Sequence, residues 1–119
     1  ARTPREIAVV PAPAIQKGLD MTGLKLSDLK LIEINEAFAA MPLVATKIMG
    51  EGDEAKVNLL RSLTNVNGGA VSIGHPVGAS GLRITMTLLA ELRRRGGGYG
   101  VASICGGLAQ GDAVVLKVD

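Results

Sequence analysis

Apolar positions along this chain change period several times, and each change marks the border of an element. From Pro11 to Met21 the apolar stripe of Ile15, Leu19 and, past the turn, Leu24 predicts a helix, with prolines at its start and Gly23 as its stop. Ser27-Asp28 reads as a cap-like turn. Leu31-Ile32-Glu33-Ile34 then reads as a short strand that delivers Asn35 at its C-terminal end, where open α/β sheets carry functional groups. A second helix is predicted from Glu36 to Met49, with Asn35 as its cap. Pro42 falls well past its first turn, so it should remove the bond to the Phe38 carbonyl and kink the helix.

Gly50 and Gly52 end that helix, and the acidic stretch of Glu51, Asp53 and Glu54 leads to a short helix from Ala55 to Leu63. Thr64-Asn65-Val66-Asn67 reads as a short strand, and Gly68-Gly69 opens an irregular, glycine-rich segment of the kind that often carries function. Leu82, Thr85, Met86, Leu89 and Leu92 follow helical spacing, predicting a long helix from Ala79 to Arg95 that Gly96-Gly97-Gly98 terminates. Tyr99 to Ile104 reads as a buried strand, Cys105 to Gly111 as a turn, and Ala113 to Val118 as a final strand completing a hairpin. Strands alternating with helices argue an α/β fold whose last strand is antiparallel.

Composition narrows the picture. At 119 residues the chain is one domain, and with aromatics at only 2% its core must come from Ala, Val, Leu, Ile and Met, the methionines Met21, Met41, Met49 and Met86 serving as filler. A formal charge of +2 is too small and too evenly spread for a nucleic-acid surface. Arg93-Arg94-Arg95 closes the long helix, where cations complement the dipole. A single cysteine excludes an internal disulfide framework, and one Cys and one His in separate segments lack metal-ligand spacing. No apolar run approaches the ~20 residues of a membrane span, and the first residues lack the apolar core of a signal peptide. The expectation is a soluble protein of a reducing, cytoplasmic compartment.

The chemistry-bearing residues are few and separated. Asn35-Glu36-Ala37-Phe38 at a strand-to-helix junction fits an ordinary N-cap, with Glu36 in the first helical turn. His75, the only histidine, sits in Ser72-Ile73-Gly74-His75-Pro76-Val77-Gly78-Ala79-Ser80-Gly81, which also reads as a tight turn into the long helix. A phosphate loop is disfavoured, because no Lys-Ser/Thr ending follows the glycines. Cys105, the only cysteine, stands before Gly106-Gly107 at a strand end, where a turn exposes sulfur and offers backbone N–H groups; a buried inert thiol is the bland alternative. A thiol that moves protons, an imidazole and a side-chain amide suit carbon–carbon bond chemistry at a thioester.

Asn35 to Phe38, the run from Asn65 to Gly81, and Cys105-Gly106-Gly107 together resemble the C-terminal catalytic half of the thiolases, the acetyl-CoA acetyltransferase family, and the resemblance extends from Thr3 to Val118. It implies that Asn35 holds a water bonded to the thioester oxygen and that Phe38, with Ala37, lines the acyl pocket. It implies that His75 takes a proton from a nucleophilic thiol and polarises a thioester carbonyl. Cys105 would then move a proton to and from the acyl α-carbon, and the Gly107 N–H would help form a second oxyanion hole. Gly106 departs from the family, replacing a bulkier residue and loosening the turn. No cofactor is implied beyond coenzyme A thioester as substrate.

The family's nucleophilic cysteine belongs to its N-terminal half, and this chain has no second cysteine. The resemblance therefore implies a thiolase C-terminal domain over residues 1–119, incomplete at its N-terminal side and inactive alone. Its partners would be an N-terminal thiolase half and acyl-CoA, and it would be a homo-oligomer when complete, with no nucleic acid or membrane. The implied fold is three-layered with a mixed five-stranded sheet whose first, central strand this chain lacks. On that reading the strands at Leu31 to Ile34 and Tyr99 to Ile104 each present an unpaired edge to be filled between them. Two alternatives remain: a non-catalytic acyl-CoA-binding or interaction module, and part of a ketoacyl-synthase-like condensing enzyme.

Overall fold

The computed structural model describes residues 2–119. Its sheet has the order β1-β2-β3, formed by β1 (Leu29–Ile34), β2 (Gly98–Gly106) and β3 (Gln110–Val118). β1 and β2 run parallel, and β2 and β3 form the antiparallel hairpin that the sequence predicts. The helices are α1 (Pro11–Thr22), α2 (Ala40–Met49), α3 (Glu54–Leu63), α4 (Ala70–Ile73) and α5 (Ser80–Arg94), with short 3-10 turns at Pro4–Val9 and Leu26–Asp28. None is long and apolar enough to cross a membrane.

Strand alternation divides the apolar residues between two faces. Ile32, Ile34 and Val101 pack with Ile15 and Leu19 of α1 and with Met41 and Ala45 of α2. Leu31 and Ala102 pack on the other face with Ile84, Leu88 and Leu92 of α5. Helix, sheet and helix thus form three layers. Gly100 lets α5 come this close, since a Cβ there would lie 2.8 Å from the Leu88 side chain and 2.9 Å from that of Leu92.

Several expectations are corrected. The second helix starts at Ala40 and not Glu36, so Pro42 stands in its first turn, where its missing N–H had no intrahelical partner to lose, and no kink is required. The strand expected at Thr64 to Asn67 shrinks to one parallel bridge between Thr64 and Ile32, because Asn65 turns into the left-handed region (φ 49) and redirects the chain. The stripe that α5 buries is Ser80, Ile84, Leu88, Glu91 and Leu92, whereas Leu82 and Met86 are 66% and 58% exposed. Helical spacing identifies an apolar face without saying which of two such faces meets the sheet. Met21 likewise is exposed, while Met41 and Met49 are buried.

The expected gap between the strands of Leu31 to Ile34 and Tyr99 to Ile104 is absent. β2 is paired on both sides, and it pairs directly with β1. On the far side of β1, Asn65 stands in for a strand: its N–H donates to the Ile32 carbonyl (2.9 Å), its Oδ1 accepts from the Ile34 N–H (2.8 Å), and its Nδ2 donates to the Ile34 carbonyl (2.9 Å). The positive φ is one that asparagine tolerates better than most residues.

Candidate active site

Because β1 and β2 are parallel, their C-terminal ends meet at one edge of the sheet. Asn35 follows β1 there, its N–H donating to the Ser103 carbonyl at 2.9 Å, and Cys105 lies two residues beyond Ser103 on the neighbouring strand. Asn35 is fully buried. Alternation turns it, like Leu31, toward the α5 layer, while Cys105 packs against the cluster on the α1/α2 side at that same edge.

His75 comes to Asn35 from the loop between α4 and α5. Gly74 (φ 91) releases the chain from α4 in a conformation that a side chain would strain. The Pro76 carbonyl then accepts from the Ala79 and Ser80 N–H groups, at 2.8 and 2.9 Å, and starts α5. The half-buried imidazole is thereby fixed at both nitrogens: Nε2 lies 3.3 Å from Asn35 Nδ2, and Nδ1 lies 2.6 Å from Ser80 Oγ. Arg83, one turn further along α5, donates from Nη2 to Asn35 Oδ1 at 3.2 Å.

Glu36 does not serve α2 as the sequence suggests. Its Oε2 accepts from the Val71 N–H at 2.9 Å, at the start of α4, and its Oε1 accepts from Asn65 Nδ2 at 3.3 Å. The carboxylate therefore ties the Asn35 segment to the glycine-rich loop that leads to His75. Ala37 is half-buried and Phe38 is 57% exposed, both between β1 and α2.

Gly107 opens the turn between β2 and β3. The next residues, Leu108 (φ 60) and Ala109 (φ 52), both adopt left-handed backbone without being glycine. Such strain costs roughly 1–3 kcal/mol per residue and tends to collect where function fixes the chain. Burial pushes the Cys105 thiol above its ordinary pKa, so the protonated form prevails. Glu33, buried on the α5 face of β1, is driven from 4.5 to about 7 by the same cause, against the favourable charge of Arg83 and with a further rise from Glu36.

The structure thus joins Asn35 and His75 directly and sets Cys105 and Gly107 at the same sheet edge, with no hydrogen bond between the two pairs among the described residues. A cavity of about 480 Å³ lies elsewhere, lined by Glu6, Gln16, Met49 and Lys56 among others. Sequence reasoning missed Ser80, Arg83, Asn65 and Glu33. A Ser and an Arg three residues apart at the first turn of a helix that follows the only histidine were the available signal.

Over residues 1–118 the chain matches the family model described as the C-terminal domain of thiolase. The chain belongs to the thiolase family. A probable acetyl-CoA acetyltransferase of Mycobacterium leprae is 49% identical over 107 residues, covering 90% of this chain and 25% of the relative. The human mitochondrial 3-ketoacyl-CoA thiolase is 47% identical over 114 residues, covering 96% and 27%. Among solved structures, the Bacillus anthracis acetyl-CoA acetyltransferase superposes with a TM-score of 0.85 at 43% identity, covering 98% of this chain and 27% of that one. This thiolase domain therefore spans about a quarter of the length of the relatives it matches.

Proposed function

We propose that the chain is the C-terminal catalytic portion of an acyl-CoA thiolase, contributing to reversible Claisen condensation and thiolysis of 3-ketoacyl-CoA. The observation that carries this reading is the Asn35–His75 pair, anchored by Ser80 and Arg83, at the sheet edge that also carries Cys105. An amide N–H beside an imidazole that has taken up a proton at Nε2 suits a thioester carbonyl oxygen on which negative charge grows. In the thiolysis direction the bond between the α-carbon and the ketone carbon breaks and its electron pair passes to the α-carbon. Cys105 supplies the proton that completes that carbon as acetyl-CoA. A thiol held protonated by burial suits the donor role, and its thiolate reverses the step in condensation. His75 takes the proton of the attacking thiol, which belongs to a portion of the protein outside this chain, and Phe38 and Ala37 face the acyl group.

On this reading the 119 residues alone are inert, because covalent catalysis needs an acyl-accepting thiolate that they lack. Coenzyme A-dependent cleavage of acetoacetyl-CoA, measured with the chain alone and with the remaining thiolase portion added, tests it. Activity is expected only in the mixture. Turnover by the chain alone, with acetylation of Cys105, would overturn the role given to that residue. An inert mixture whose two parts bind one another would favour a non-catalytic acyl-CoA-binding module.

A further inference from the structure

Arginine has five N–H donors and no acceptor, so the Asn35 atom that faces Arg83 Nη2 at 3.2 Å must be the amide oxygen. The other end of the amide, an NH₂ group, is then the end that meets His75 Nε2 at 3.3 Å. A donor facing Nε2 requires a lone pair there. The single proton of the neutral ring consequently sits on Nδ1, which donates a hydrogen bond to Ser80 Oγ at 2.6 Å, and the Ser80 hydroxyl donates in turn to the Pro76 carbonyl at 3.1 Å. Every polarity in this row follows from the first member.

We infer that Arg83 is a positioning residue that fixes the tautomer of His75 through Asn35, keeping Nε2 unprotonated and ready to receive a proton. Two observations set Arg83 apart from a structural arginine. Its Nε is buried without a hydrogen-bond partner among the described residues, so the placement leaves one of its own donors unsatisfied there while supplying the contact to Asn35. Furthermore, Ser80 and Arg83 stand three residues apart on α5, and the first turn of one helix thereby holds both ends of the row. Asn35 is fully buried, which limits the chance for water to replace the guanidinium and let the amide turn over. The catalytic value of this arrangement rests on the base role proposed above for His75; the tautomer itself does not.

His75 is the only histidine, so nitrogen NMR of the chain labelled with ¹⁵N-histidine gives one pair of ring signals needing no assignment between residues. The unaltered chain should show a protonated Nδ1 and a bare Nε2, and the opposite pattern overturns the inference without any variant. In Arg83→Gln, whose side chain offers an acceptor as well as donors, the Nε2–H form should rise from a minor species to half or more. A folded Arg83→Gln chain with unchanged ring signals also overturns it, whereas restoration of the original pattern by Arg83→Lys supports it. Should Arg83→Gln fail to fold, Asn35→Asp decides: a carboxylate only accepts, so Nε2 must gain a proton, and a bare Nε2 there sinks the idea. A normal tautomer in an assembly that performs no thiolysis would remove the proposed function and leave this inference standing.

Discussion

Glu36 and Gly69 occupy adjoining space so tightly that a Cβ built on Gly69 would lie 2.6 Å from Glu36 Oε2. The backbone of Gly69 is extended (φ −160), so the demand for glycine there comes from the carboxylate and not from strain. Gly69→Ala should displace Glu36 from the Val71 N–H and loosen the segment leading to His75, at a cost of about 1–3 kcal/mol. Urea unfolding checks this, and the Glu36→Ala/Gly69→Ala double variant should lose less than the sum of the single losses. Strict additivity would show that the two residues do not compete for that space.

Asn65 closes the outer edge of β1 with three hydrogen bonds, and Ile34 contributes both its N–H and its carbonyl to them. Asn65→Ala strands both groups, and each unsatisfied group costs roughly 1–3 kcal/mol, before counting the penalty of a left-handed alanine. The Ile34 amide should then lose its protection against hydrogen exchange while the Val101 amide in central β2 keeps more of its own. Equal protection of Ile34 in the variant would mean that another group covers this edge.

These two residues also explain what the sequence could and could not reveal. The helices at Pro11, Ala55 and Ala79 and the terminal hairpin follow from local periodicity and glycine stops, and the structure places them within a few residues of expectation. Asn35 and His75 were legible because their neighbouring residues form recognisable motifs. The edge-closing bonds of the Asn65 side chain to Ile34, the bond from Glu36 to α4 and the contact from Arg83 to Asn35 join residues 31, 35 and 48 positions apart, and no local pattern encodes such pairings. Pro42 misled for a related reason: a proline is silent or disruptive depending on where a helix begins, and here Glu36 is engaged elsewhere, leaving α2 to start four residues later.

Stability should vary with pH through Glu33. Its carboxyl titrates at about 7 in the folded chain against 4.5 ordinarily, so below 4.5 it is neutral in both states and imposes no penalty. Between 4.5 and about 7 the unfolded chain releases that proton first, and stability falls across this window by an amount on the order of 1–3 kcal/mol. Glu91 acts in a different range: hydrogen bonds from Arg94, Arg95 and Asn67 hold it well below its ordinary value, so its contribution is present above 4.5 and fades as the pH falls below it. Urea midpoints of the unaltered chain and of Glu33→Gln should therefore diverge as pH rises from 4.5 to 7, with the variant the more stable at the upper end. Parallel curves would show that Glu33 ionises normally.

On the proposed reading, substitution of Cys105 should separate the two half-reactions of the assembled enzyme. Cys105→Ser keeps the size and position of the side chain, but a hydroxyl is a far weaker acid and its conjugate base is scarcely populated near neutral pH. The step that needs proton transfer at the α-carbon should slow by about 10²–10⁴-fold, the range typical of a lost general acid or base. Acyl transfer to the nucleophilic thiol of the remaining portion involves no such proton and should change little. His75→Ala should impair both half-reactions, because in the proposed roles the imidazole takes the proton of the attacking thiol in one and, once protonated, faces the thioester carbonyl in the other. Exchange of coenzyme A into acetyl-CoA reports the acyl transfer alone, and formation of acetoacetyl-CoA reports the whole sequence. Equal losses in the two assays for Cys105→Ser would assign Cys105 a packing role against the α1/α2 cluster, where its burial already places it.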